Sequence, residues 1–433
     1  MRLGLISARY PYGAHEAYLD AELRALAPRL DALLVIPTLP PSAGLTFADV
    51  PGEVVRIPLL GVHTLALAAR TLARRPRRTV TAIARLLRER ASLRVKLKNV
   101  ALLPKGLAIA ELARVRRLDH LHAYWLSTPA TVAWLAAQIS GIPFSASAHR
   151  GDIFENNVCA RKLRDAAFVR AISERGRRAL LELTGGDPGR VHVVRLGVAL
   201  DSRTRIPIAP DDERPLPKPA NSLRILCAAA LVPVKGHDIL LRALALLRDR
   251  GIAFTCTLAG DGPQRDEIAA RIDALGLAPQ VCLVGIVPHG ELLARLARGE
   301  YDVSVLASVE RDGGLMEGVP VALTEAMAAG TVVVASDSGS IGELVDATTG
   351  VLVPHSDPGA LADGLARIAA DPALCERLRE AARERVAREY DVRNTTIRFC
   401  SLLSSTMSAA ESREIAVRDA GYSERAPAGG GAH

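Results

Sequence analysis

Aromatic side chains are scarce in this 433-residue chain, only 3% of the whole, and almost none falls in its most basic segment. Base stacking then has little to work with, which argues against nucleic acid as a partner. The six cysteines, Cys159, Cys227, Cys256, Cys282, Cys375 and Cys400, lie far apart without metal-ligand spacing. That pattern speaks against a metal site and predicts reduced core thiols in a cytoplasmic protein. No charge-free apolar run reaches the roughly 18 residues that a spanning helix needs. Met1-Arg2 runs straight into a strand pattern, Leu3 to Ser7, so neither a signal peptide nor a membrane span is expected. The first loop, Ala8 to Ala14, also lacks the G-x-G-x-x-G spacing of dinucleotide-binding domains, which sets an NAD reading behind the others.

What is present is a repeated alternation of short apolar strands and amphipathic helices, the pattern of doubly wound α/β domains. With 49% apolar residues, the length supports two such domains. The first is expected over residues 1–205. Pro207, Pro210, Pro215, Pro217 and Pro219 crowd the stretch 206–222, and such proline density reads as a linker. The alternation restarts at Leu223 and a second domain is expected over 223–385. A closing helix is expected over 386–405, crossing back to the first domain. The polar stretch 406–433 reads as a disordered tail.

Charge divides unevenly between the halves. Residues 1–200 hold 30 Lys/Arg against 15 Asp/Glu, although the whole chain is only +8. Between Arg70 and Arg117, inside a helical region at 65–117, 15 basic residues meet only Glu89 and Glu111 and are interleaved with leucines. A helix face of this kind suits an anionic membrane surface, and it equally suits a solvated surface.

The most informative stretch runs from Glu310 to Gly330. A Gly-rich loop passes through Pro320 into a short helix that ends at Gly330, and proline and glycine suit those two ends. The amides of Val321, Ala322 and Leu323 would open the first turn and form an anion site fit for a phosphate. Glu317 and Glu325 flank it with seven residues between them; buried among apolar neighbours, a carboxylate needs hydroxyl or cationic partners, and sugar or ribose hydroxyls qualify. Lys235 follows a strand and precedes a helix, a place where a lysine either meets a phosphate or is merely exposed. His149, Asp152 and Ser173 lie at strand ends of the first domain, where parallel sheets collect their ligands.

Taken together, the frame E-G-x-P-x-x-x-x-E-A-M-A-x-G from Glu317, the sequence Lys235-Gly236-His237 followed by Gly260-Asp261-Gly262-Pro263, and the run from Pro143 through His149 and Asp152 to Ser173 resemble the family 4 glycosyltransferases. The resemblance covers residues 1 to about 405 and is nearest to the colanic-acid and exopolysaccharide branch. It implies the GT-B fold, two Rossmann-like domains facing across a cleft, and a retaining, metal-independent transferase. It also implies no cofactor beyond a UDP- or GDP-linked sugar, with a glycan or lipid-linked acceptor and a place at the inner face of the cell membrane. In such enzymes the acid matching Glu325 binds the ribose and the one matching Glu317 touches the donor sugar. The amides of Val321 to Leu323 and Lys235 hold the diphosphate, Gly13 approaches it from the first domain, and His149 lies near the sugar. Glu317, His149 and Lys235 are thus the implied catalytic residues. Asp152, Ser173, Gly260, Asp261, Gly262, Val287, Gly318, Val319 and Pro320 complete the implied donor site. The chain departs from the family at Ala230, where an arginine is usual, and at Ala199, where an aspartate is usual; Arg265 and Arg311 are candidates to supply the missing charge. A sugar-nucleotide epimerase on the same fold and a non-catalytic sugar-nucleotide or membrane-binding protein remain as alternatives.

Overall fold

The computed structural model describes residues 1–12, 16, 18–39, 49–200, 222–311 and 316–406. Gly13, the expected linker apart from Ser222, and the expected tail apart from Thr406 lie outside these residues. Seven strands, β1 (Arg2–Ser7), β2 (Ala32–Pro37), β3 (Glu53–Val54), β4 (His120–Ala123), β5 (Phe144–Ala148), β6 (Val169–Ala171) and β7 (Val191–Val193), make one parallel sheet in the order β3-β2-β1-β4-β5-β6-β7. Six more, β8 (Leu223–Ala228), β9 (Phe254–Ala259), β10 (Val281–Gly285), β11 (Val303–Leu306), β12 (Val332–Asp337) and β13 (Val351–Pro354), make a second parallel sheet in the order β10-β9-β8-β11-β12-β13.

Why these residues form buried parallel strands follows from their composition. The strand cores, Leu-Gly-Leu-Ile in β1 and Val-Val-Val-Ala in β12, are continuously apolar rather than alternating, as sheets covered by helices on both faces require. In each sheet the order reverses once, beside β1 and β4 in the first and beside β8 and β11 in the second. Loops leaving the carboxyl ends of those four strands therefore border the two crevices where open parallel sheets take ligands.

The chain end returns to the first sheet. Val198 bridges to Asp391, and the helix at 392–406 sends Phe399 and Leu403 into the cluster of Leu3, Leu5, Leu19 and Tyr124. Thr406 belongs to this helix rather than to a tail: it is buried, and its hydroxyl lies 3.2 Å from His120 Nδ1. Of the cysteines, Cys159, Cys227, Cys256 and Cys375 are buried as expected, whereas Cys282 is exposed on β10.

The basic region forms four helices, Val62–Arg74, Pro76–Arg88, Leu93–Ala101 and Leu103–Val115. It is not one continuous basic face. Lys105 is 2% exposed and donates to the carbonyls of Pro37 and Thr38 at 2.8 and 2.9 Å, Arg74 and Arg114 both close on Glu111, and Arg75 donates to Ser140 O at 2.6 Å. Arg77, Arg78, Arg88, Arg90 and Arg94 are exposed, as are Val62, Leu65, Val80, Leu93 and Leu97. No described helix is long and apolar enough to cross a membrane.

Candidate functional site

Two glycines bring the expected cation and acid together. Gly236, at φ +66°, has no room for a side chain: a Cβ there would lie 1.8 Å from the carbonyl oxygen of Ala307. The turn that carries Lys235 thus lies directly on the end of β11. Gly339, at φ +62°, makes the same close approach to the carbonyl oxygen of Glu317, which also accepts the amide of Ser340 at 3.1 Å. The result is an ion pair, Lys235 Nζ to Glu317 Oε2 at 2.6 Å. Ser308 donates to the same oxygen at 3.0 Å, and the amide of Gly318 reaches Glu317 Oε1 at 3.2 Å.

The short helix begins right after this pair, as Val321–Ala329, with Pro320 at its N-cap and Gly330 in the left-handed conformation at its end. Only part of the expected amide cradle is open. Leu323 N donates to the carbonyl of Pro320 at 3.1 Å, which leaves Val321 and Ala322 as the amides of the first turn with no intrahelical acceptor. Val319 and Val321 pack on the core cluster beneath, as does Val287 from the neighbouring loop.

Glu325 sits one turn into this helix and is met by His289, Nε2 to Oε1 at 2.7 Å. Burial lowers the pKa of His289, but the hydrogen bond and charge of Glu325 outweigh it and the imidazole ends above its ordinary value. The segment Ala259-Gly260-Asp261-Gly262 pins the neighbouring loop: Asp261 O accepts Leu231 N at 3.0 Å and Ala259 O accepts Ala229 N at 3.0 Å. Ala230, between the two bonded residues Ala229 and Leu231, brings no charge. Arg265 is half-exposed and lies 3.9 Å from Asp261, while Arg311 is exposed.

From the first domain comes a cation that the sequence did not single out. Arg150, half-buried at the start of the helix Arg150–Glu155, is close enough to feel the charges of Glu317 and Glu310; burial draws its pKa down to about 10 against their pull. Nothing in its spacing marks it, because the approach is made across the two domains.

Two expected ligand residues make scaffold contacts in this structure. Asp152 is 2% exposed, and its carboxylate accepts the amides of Leu126, Ser127 and His149 at 3.1, 3.0 and 3.0 Å. Its acceptor capacity goes to holding two loops. Ser173 is buried, caps the helix Glu174–Thr184 by accepting Gly176 N at 3.0 Å, and touches Ser340 of the second domain, Oγ to Oγ at 3.0 Å. It belongs to a clasp between the domains. Glu343 accepts the amides of Glu174 and Arg175, both at 2.9 Å, and Arg175 bonds Gly339 O at 2.8 Å and Glu310 at 3.1 Å. A carboxylate on the first amides of a helix is a favourable dipole contact, and here it fastens one domain to the other. The clasp also seats the backbone of Glu317, because both Gly339 and Ser340 touch it.

His149 lies at the carboxyl end of β5 and is 6% exposed, with Trp125, Tyr124 and Tyr18 around its ring at centroid distances of 4.2, 5.6 and 6.4 Å. Neither ring nitrogen has a hydrogen-bond partner among the described residues. Groups in this state mark positions where a ligand or water completes the bonding.

Two parallel doubly wound sheets, each with one reversal of strand order and fastened to each other through Glu343 and Arg175, define a GT-B glycosyltransferase fold. HepE of Anabaena, solved in complex with UDP, superposes with a TM-score of 0.66 at 19% identity, over 94% of this chain and 100% of that one. The profile of the family "Glycosyl transferases group 1" matches residues 209–385. The glycogen synthase of Mycobacterium tuberculosis is 30% identical over 308 residues, 67% of this chain and 70% of that protein. A Salmonella typhimurium protein designated a colanic acid biosynthesis glycosyltransferase, WcaL, is 33% identical over 227 residues, 52% of this chain and 53% of that protein. The chain thus spans about half the length of the first curated relatives it matches. It belongs to the group 1 glycosyltransferases.

Proposed function

We propose that this protein transfers a hexose, with retention and without a metal ion, from a UDP- or GDP-linked sugar to a glycan or lipid-linked acceptor in cell-surface polysaccharide biosynthesis. The observation that carries this reading is the Lys235–Glu317 pair, 2.6 Å apart, immediately before the open amides of Val321 and Ala322. A lysine and two aligned N–H groups suit a diphosphate, and Glu317 beside them suits the hydroxyls of the attached sugar. The similarity to WcaL supports the polysaccharide setting.

In the reaction the bond from the anomeric carbon to the diphosphate oxygen breaks, and the acceptor oxygen bonds to that carbon on the same face. The acceptor proton passes to the departing phosphate oxygen. Charge therefore accumulates on the diphosphate as the bond breaks, and preorganised Lys235 and helix amides stabilise that charge more than the ground state. Arg150 adds positive potential from the other domain, the role for which Ala230 has no side chain. Glu325, with His289 upon it, suits the ribose hydroxyls. Asp152 and Ser173 contribute by holding loops and domains rather than by touching the donor.

The exposed arginines and leucines of the helices over 62–101 suit an anionic membrane face, where a lipid-linked acceptor resides and where a cytoplasmic enzyme would meet it.

The test is to incubate the protein with UDP-glucose, UDP-galactose, UDP-GlcNAc and GDP-mannose, each with and without a lipid-linked glycan acceptor, and to follow nucleotide release. Acceptor-dependent release from one donor is expected. Interconversion of a donor without acceptor would replace this reading with an epimerase.

A further inference from the structure

The loop that leaves β4 is held more firmly than a surface connection requires. Asp152 takes the amides of Leu126 and Ser127, and buried Lys162 donates Nζ to the carbonyls of the same two residues at 2.7 and 2.6 Å. Trp125 stands just before this clamped pair, and its indole Nε1 donates to Glu16 Oε1. Glu16 is itself 2% exposed, and its other oxygen accepts the amides of Arg9 and Tyr10, both at 2.5 Å, at the carboxyl end of β1. Both the backbone and the ring edge of Trp125 are therefore fixed.

The face of that indole lies against His149, with ring centroids 4.2 Å apart and planes 32° from parallel. Among the described residues no hydrogen bond orients the imidazole: both nitrogens are buried without a partner there, and Asp152 Oδ2 is 3.7 Å from Nδ1, beyond bonding distance. A histidine ring is ordinarily aimed by a bond to one of its nitrogens. Here the neighbours available to aim it are the rings of Trp125, Tyr124 and Tyr18.

We propose that Trp125 is a positioning residue for His149: its indole plane sets the orientation of the imidazole, and Glu16 locks the indole, so that both ring nitrogens stay open to a sugar hydroxyl. This rests on the reading above that His149 meets the donor sugar. The arrangement leaves neither nitrogen occupied by a described residue, at the cost of relying on packing for aim. Glu16 carries no part of the donor in this account. Its carboxylate is saturated by backbone and indole N–H groups.

The experiment compares Trp125→Phe, which keeps an aromatic face but removes the N–H, with His149→Ala and the double variant, in the full chain. Turnover of the accepted donor, nucleotide affinity by calorimetry and the ring resonances of His149 by NMR are measured. Trp125→Phe should lower kcat about tenfold through misplacement of the imidazole. It should leave UDP or GDP affinity within about twofold, shift the His149 resonances, and add no further loss on the His149→Ala background. An equal loss in both backgrounds, or His149 resonances that stay in place, would overturn the proposal. Wild-type turnover by His149→Ala would instead overturn the reading of His149 itself, while the resonances still report whether Trp125 aims the ring. Should Trp125→Phe lose the native melting temperature, Glu16→Gln, which keeps the indole and removes its charged anchor, carries the same comparison.

Discussion

Lys235 and Glu317 lie 82 residues apart in sequence and 2.6 Å apart in space. The cation suited to a diphosphate is thus paired with the acid suited to the sugar. Separating their roles gives the first prediction. Glu317→Ala should lower turnover of the accepted donor by on the order of 10²-fold, because a sugar contact that strengthens in the transition state is lost. UDP or GDP alone should bind as tightly as before, or more tightly, since Lys235 is released toward phosphate. Parallel kinetics and calorimetry check both halves.

Glu343 fastens the domains through the first amides of the helix Glu174–Thr184. Glu343→Ala removes two charge-assisted bonds, an effect of about 1.5–3 kcal/mol on closure. The radius of gyration from small-angle scattering should rise, and donor KM should increase by roughly tenfold or more. An unchanged scattering profile would mean that other contacts suffice.

Gly339 combines a left-handed φ of +62° with a Cβ position 1.8 Å from Glu317 O. Gly339→Ala should cost about 1–3 kcal/mol in backbone strain, before the steric overlap is counted. Its activity loss should exceed that of a comparably destabilised surface variant, because the backbone of Glu317 moves. Thermal melts and turnover measured on the same preparation test this.

His289 is raised above its ordinary pKa of 6.5 by Glu325 despite its burial. A group raised on folding stabilises fully below its unfolded value, and that contribution disappears as pH climbs through the raised value. The melting temperature of the wild type should therefore fall from pH 6.5 upward more steeply than that of His289→Gln. Parallel pH profiles would assign the slope elsewhere.

The exposed basic and apolar residues of the helices over 62–101 predict retention by anionic liposomes, weakened as salt screens the charge. Leu93→Ser with Leu97→Ser should reduce retention at every salt concentration, because both side chains are exposed and support no core. Sedimentation with vesicles measures it.

Much of this was legible in the sequence for definite reasons. Continuous apolar strands announce covered parallel sheets, and Pro320 and Gly330 bracket the short helix at the expected places. The loop-to-helix junction that holds Glu317 and Val321 is therefore visible from local pattern, although the pairing of Glu317 with Lys235 is not. Those acting through space were not. Arg150, His289 and the indole of Trp125 owe their positions to strands brought together by the fold, and no spacing announces such neighbours. Strand ends attract function, which makes Asp152 and Ser173 look like ligands, yet the same positions also need polar groups to tie loops down. A strand-end carboxylate looks alike in both roles until its acceptors are counted.

The account rests on one shared place for diphosphate, between Lys235 and the first amides of the helix Val321–Ala329. Calorimetric titration of UDP and of GDP into the wild type and into Lys235→Ala tests it most directly. Saturable binding of one nucleotide, weakened by roughly tenfold to a hundredfold when the lysine is removed, is the predicted result. Equal affinity in the two proteins would contradict it.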